Sequence, residues 1–120
     1  MININQAIIA GNVVRDPELR YTKNGKPVVT FVVATNKIVN NEQEKAQFHR
    51  IVSWIDAETH AGLIKGDFVT VVGEIRTRSY EKDNQKHYVT EIVAMNITVA
   101  ASKDSNFSQF SKGNEEDIPF

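Results

Sequence analysis

The sequence predicts an all-β domain: a small five-stranded Greek-key barrel with one short helix and a disordered acidic C-terminal tail. Three observations carry this. Runs dense in Val, Ile, Phe and Tyr alternate apolar with polar residues and are separated by turn signals. A single stretch reads as a helix, and it falls between the third and fourth main strands with no β–α–β rhythm. From Ser102 the composition shifts to Ser, Lys, Asp, Asn, Gln and Gly, with Phe107 and Phe110 isolated among them. Such a segment buries too little apolar surface to order itself.

The first strand spans 4–14 and is interrupted by Gly11, which marks a bulge or bend. Pro17 ends it, because it cannot donate to a ladder and restricts Asp16. Residues 19–22 and 27–35 flank Lys23-Asn24-Gly25-Lys26, and Asn-Gly is the strongest short hairpin signal because both residues tolerate positive φ. The polar stretch 36–47 offers few residues for a core and is expected to be a long mobile loop. The third strand is 48–54. The helix is expected over 56–65, with Asp56 as N-cap, Lys65 in the last turn and Gly66 as the C-terminal cap. Strands 68–80 and 87–99 follow, joined by a charged hairpin loop at 81–86. This order points to a barrel of the OB type.

With 120 residues the chain supports one domain, 41% hydrophobic and 24% charged, an ordinary globular composition. No apolar run approaches the roughly 18 residues of a membrane helix. Met1-Ile2-Asn3-Ile4-Asn5 lacks the basic and apolar regions of a leader, so a cytoplasmic protein is expected. The absence of Cys excludes disulfides, thiol catalysis and cysteine-based zinc sites. The net charge of −1 hides an asymmetry: residues 1–101 hold 12 Lys/Arg against 11 Asp/Glu, while 102–120 hold 2 against 4. Any basic footprint must therefore come from local arrangement.

Alternation supplies that arrangement. Strand 48–54 places Phe48, Arg50, Val52 and Trp54 on one face and His49, Ile51 and Ser53 on the other. On strand 68–80, Val69, Val71, Gly73, Ile75 and Thr77 are expected to point into the barrel, leaving Arg76, Arg78 and Tyr80 outward. A guanidinium buried without a partner costs several kcal/mol, so these arginines are exposed or paired. One basic-and-aromatic strand is explicable by core packing. Two of them describe a groove in which bases stack and cations hold phosphates, and such a groove demands unpaired strands. The hairpin adds Lys82, Lys86 and Tyr88, and Arg20 and Lys37 complete the candidate set.

These residues resemble a family. Gly11-Asn12, Asp16-Pro17-Glu18 with Arg20-Tyr21, Asn24-Gly25, Phe48-His49-Arg50, Lys65-Gly66, Arg76-Thr77-Arg78 and Thr90-Glu91 follow the order and approximate spacing of bacterial single-stranded DNA-binding proteins. The ending Glu115-Glu116-Asp117-Ile118-Pro119-Phe120 resembles that family's acidic, Phe-terminated tip. The resemblance implies an OB-fold homotetramer that coats and protects single-stranded DNA during replication, recombination and repair, without sequence preference. It implies stacking roles for Phe48, Trp54 and Tyr80, phosphate roles for Arg50, Lys65, Arg76 and Arg78, and a subunit interface at His49. It divides the chain into a binding domain (1–101), a flexible linker (102–114) and a tip (115–120) that docks replication, recombination and repair proteins. Two departures stand out. Some members carry a further stacking tryptophan where this chain reads Asn36-Lys37-Ile38-Val39, and the linker is far shorter than in longer members.

Catalysis is not expected. His49 and Ser53 share a strand face but Asp56 lies beyond its end, and no nucleophile elbow accompanies them. His49, His60 and His87 lack the spacing of a zinc site, and no cofactor motif is present. The rival reading is an OB module that binds RNA or only protein.

Overall fold

A computed structural model describes residues 1–43 and 45–100. The linker and tip expected at 102–114 and 115–120 lie outside the described residues.

The chain runs β1 (Ala7–Val13), β2 (Glu18–Tyr21), β3 (Pro27–Thr35), β4 (Ile38–Val39), β5 (Glu42–Gln43), β6 (Gln47–Ser53), α1 (Ala57–His60), β7 (Phe68–Lys82) and β8 (Gln85–Val99). The principal sheet has the order β1-β7-β8-β6-β3-β2, and an additional β1–β3 pairing closes it into a barrel. All its pairings are antiparallel except β6–β8, which is parallel over Ile51↔Ile92 and Val52↔Val93. The five main strands expected are β1, β3, β6, β7 and β8, with β2 as a short addition on the edge of β3. Among the described residues no helix is long and apolar enough to cross a membrane.

Closure depends on Gly11. Its register with β7 is unbroken through Asn12↔Phe68, so it marks a bend and not a bulge. At Asn12 and Val13 the strand turns to pair with Ala34 and Val33 of β3. A Cβ on Gly11 would sit 2.1 Å from the Ala34 carbonyl oxygen, so only glycine permits the approach. The bulge lies instead in β8, where pairing steps from Val72↔Asn96 to Gly73↔Ala94 and skips Met95. That extra residue resets the alternation, which lets both Ala94 and Ile97 turn inward.

The core is built from Val13, Val29, Phe31, Val33, Ile51, Val69, Val71 and Ile92, and Ala57 of α1 and Leu63 after it belong to the same cluster. Val33, Ile51, Val69 and Val71 are completely buried. At about 25 cal/mol per Å² of apolar surface, such residues supply most of the favourable energy of folding.

Three expectations need correction. The helix is one turn and not the stretch 56–65. After Ala57–His60 the backbone continues in i→i−3 turns, from Gly62 to Thr59 and from Leu63 to His60, each 3.1 Å. Gly62 favours that break, and the Asp67 carboxylate captures the Ile64 N–H at 3.0 Å. Asp56 stands at the N-cap with φ 46° but makes no side-chain cap bond. Gly66, at φ 97°, ties the segment to β1 through its N–H on Val13 O, and ends a turn instead of a helix. The stretch 36–47 is not a featureless loop: β4 and β5 form a hairpin across Asn40-Asn41, both at positive φ, as a type I′ turn requires. The loop at 81–86 shrinks to Asp83-Asn84, again both at positive φ, so β7 and β8 are longer than expected.

Candidate nucleic-acid interface

The two faces expected for β6 differ at Phe48 and Trp54, although Val52, expected on their face, is buried too. Ile51 and Ser53 are fully buried, whereas Phe48 is 66% and Trp54 40% exposed. Trp54 follows the last strand residue, in a turn fixed by Ser53 Oγ donating to Ile55 O at 2.9 Å. On β7, Val69, Val71 and Gly73 are buried as expected, but Ile75 is 48% exposed and Thr77 is exposed. Past Gly73 the β7–β8 hairpin leaves the barrel as an arm, and among the described residues no element seals the face that would have pointed inward.

Three adjoining depressions share Arg50. One of about 500 Å³ lies among Arg20, Val28, Arg50, Trp54, Arg76 and Arg78. A second of about 450 Å³ is lined by Arg50, Arg78, Tyr80 and Val89. A third of about 410 Å³ brings Phe48 and His49 to the apolar Ala7, Ile9 and Ile75. The first two form a groove from Trp54 to Tyr80, with Phe48 across Arg50 on its flank. The sequence-derived residues Arg20, Phe48, Arg50, Trp54, Arg76, Arg78 and Tyr80 are thus brought together. Lys82 lies on the same face of the arm by register.

The remaining candidates are not brought into this groove. Lys86 and Tyr88 sit on the reverse face of the arm. Lys82 pairs with Gln85 and Ser79 with Tyr88, so the two-residue turn gives odd residues of β8 the face of even residues of β7. Lys86 Nζ lies 5.7 Å from the Tyr88 ring centroid, while Thr77 and Thr90 share a hydrogen bond of 3.0 Å on that same side. Lys37, between β3 and β4, and Lys65, whose N–H donates to Asp16 Oδ1 at 3.1 Å, line none of the three depressions. His49 Nε2 is 2.9 Å from Thr35 Oγ1, at the rim of the apolar depression.

Every groove arginine has a carboxylate partner. Arg20 meets Glu18 at 2.7 Å, Arg76 meets Glu74 at 2.6 Å, and Glu91 is shared by Arg50 at 2.9 Å and Arg78 at 2.8 Å. Four guanidiniums against three carboxylates explain how a nearly neutral domain still presents a basic face. Tyr80 stacks on His87 with centroids 5.4 Å apart and planes 22° from parallel, and at 46% exposed it keeps surface for a further ring.

Sequence reasoning missed two residues. Lys26, at the end of the β2–β3 turn, places Nζ 5.2 Å from the Trp54 ring centroid, within cation–π range. Its signal was its position after Asn-Gly and just before β3, the strand that pairs with β6. Glu91 was visible in Thr90-Glu91, but its place between two arginines depends on sheet order. Beside the groove, Tyr21 donates to Glu58 Oε2 at 2.6 Å. That hydrogen bond, then burial, then the Glu58 charge, raises the tyrosine pKa above its ordinary value.

Comparison with known proteins identifies relatives of the whole domain. Residues 4–100 match the model of the "Single-strand binding protein family". The chain is similar to a single-stranded DNA-binding protein of Oceanobacillus iheyensis, 39% identical over 92% of this chain and 71% of that protein. It is also similar to one of Staphylococcus aureus, 38% identical over 88% and 71%. For one of Enterococcus faecalis the identity is 39% over 86% of this chain but only 57% of that longer protein. Among solved structures, a Plasmodium falciparum SSB in complex with ssDNA superposes with a TM-score of 0.73 at 27% identity, covering 84% of this chain and 98% of the other.

Proposed function

The chain belongs to the single-strand binding protein family, and on that premise we propose that its groove holds single-stranded DNA by base stacking and phosphate contacts. The observation that carries this reading is the convergence of β6 and β7: the exposed aromatics Trp54 and Tyr80 flank Arg20, Arg50, Arg76 and Arg78 in one groove, and Phe48 lines the adjoining depression that shares Arg50. Every base offers a π-face, so stacking tolerates any sequence, and phosphate contacts add a salt-dependent share. A duplex hides its base faces and does not fit the mechanism. The chain is a binding protein and not an enzyme.

Finer roles follow from the same reading. The protein coats and protects single strands during replication, recombination and repair. Family membership supports a homotetramer with His49 at its subunit interface. Residues 1–101 form the binding domain, 102–114 a linker, and Glu115, Glu116, Asp117, Ile118, Pro119 and Phe120 a tip that docks partner enzymes. An acidic segment ending in one aromatic suits an apolar pocket rimmed by cations.

Trp54 is the sole tryptophan, so intrinsic fluorescence reports on the groove directly. Its emission is expected to fall on adding poly(dT) and to recover with salt. Absence of quenching in the folded protein overturns the stacking mechanism, and a preference for poly(U) transfers it to RNA. Deleting 118–120 is expected to spare DNA binding while abolishing partner capture. Mass measurement in solution tests the tetramer.

A further inference from the structure

The groove arginines are paired in two different ways. The side chains of Glu18 and Glu74 are 62% and 31% accessible, and pairs of that kind contribute little and exchange readily for another anion. Glu91 is only 7% accessible, and each of its oxygens accepts from a different arginine: Oε2 from Arg50 Nε at 2.9 Å and Oε1 from Arg78 Nε at 2.8 Å. Arg50 stands on β6 and Arg78 on β7, and β8 is the strand between those two. A carboxylate on β8 is therefore placed to reach both.

We propose that Glu91 is a positioning residue of the nucleic-acid groove, holding Arg50 and Arg78 by their Nε edges while their terminal amino groups take phosphates. This rests on the single-strand reading above. An acid in an anion-binding groove acts either as a competitor that DNA displaces or as an organiser that stays in place, and burial decides between them. Displacement would strip both counter-charges from a carboxylate that water scarcely reaches, a far larger penalty than exchange at an exposed pair. Glu91 therefore keeps its partners when a phosphate arrives. A guanidinium has five N–H donors, so donating Nε–H leaves the terminal nitrogens available. Two long side chains already ordered lose less rotamer freedom on binding than two that swing in water.

The test is Glu91→Gln in the full chain, which keeps size and one acceptor but removes the charge. Trp54 quenching by a dT oligomer is titrated across a salt series, with circular-dichroism melting to verify the fold. Binding is expected to weaken about tenfold at moderate salt, as loss of two pre-ordered side chains implies, although the groove gains net positive charge. Arg50→Lys and Arg78→Lys, each costly in the wild type, are expected to add little in the Glu91→Gln background, a non-additivity that a merely structural role does not produce. Equal or tighter binding with steeper salt dependence makes Glu91 a competing anion and overturns the proposal. If Glu91→Gln fails to fold, the Arg50→Lys/Arg78→Lys double variant replaces it. That variant retains both charges but has no Nε edge and terminal fork to use together. About tenfold loss supports the proposal, and unchanged affinity overturns it. A wild-type chain that dT does not quench removes the single-strand reading and this proposal together, whereas the outcomes above strike the proposal alone.

Discussion

The strands β7 and β8 are core over one half of their length and surface over the other. From Val69 to Gly73 every second residue is sealed from water, because barrel closure turns that face onto the core. From Ile75 to Lys82 the alternation continues, but both faces meet solvent. A two-stranded ribbon is marginal alone. The arm is held by its positive-φ turn and by cross-strand pairs such as Thr77–Thr90 and Tyr80–His87. Alternation decides which residues share a face, and covering elements decide what a face is for. The barrel half should therefore carry stability and the arm half binding.

Substitutions can break that division, and the largest effect is expected where the halves join. A Cβ on Gly73 would lie 2.2 Å from the Val93 carbonyl oxygen, and a backbone obstacle cannot swing aside. Gly73→Ala is expected to cost about 3 kcal/mol in denaturant unfolding. Next, Val71→Ala should lose about 2 kcal/mol of stability, whereas Ile75→Ala, four residues on and on the same face, should lose less than about 0.5. Equal losses would erase the distinction between the halves. Third, Trp54→Ala and Tyr80→Ala are each expected to weaken poly(dT) binding by roughly 1–3 kcal/mol. Tyr88→Ala, on the reverse face, should weaken it far less, and a matching loss would carry the DNA path round the tip of the arm. The smallest effect is expected of Arg76→Ala, which should lower the slope of log affinity against log salt by about 0.7 if it holds one phosphate. An unchanged slope removes Arg76 from the phosphate contacts.

Much of this was legible before any coordinates. The period of two in 48–54 and 68–80 assigned Phe48, Arg50, Trp54, Arg76, Arg78 and Tyr80 to outward faces, and all six stand there. Tyr88 and Lys86 were not legible in the same way, because parity carries across a hairpin only when the turn length is known. A six-residue loop leaves the two faces unrelated; the Asp83-Asn84 turn fixes them. The helix was overestimated for a similar reason: Asp56 and Gly66 were real turn formers, but the chain tightens into turns at Gly62 and Leu63, and Leu63 is buried in the core.

The sequence by itself determined the five main strands, the all-β class, the outward faces of β6 and β7 and the family, because these depend on periodicity, turn chemistry and residue order. Tertiary structure alone decided that Gly11 bends instead of bulging, that Ile75 faces water, and that Lys26 lies over Trp54. It alone brought Glu91 between Arg50 and Arg78. Those four facts concern distances between strands far apart in the chain, and strand order and barrel closure set such distances where local propensity has no reach.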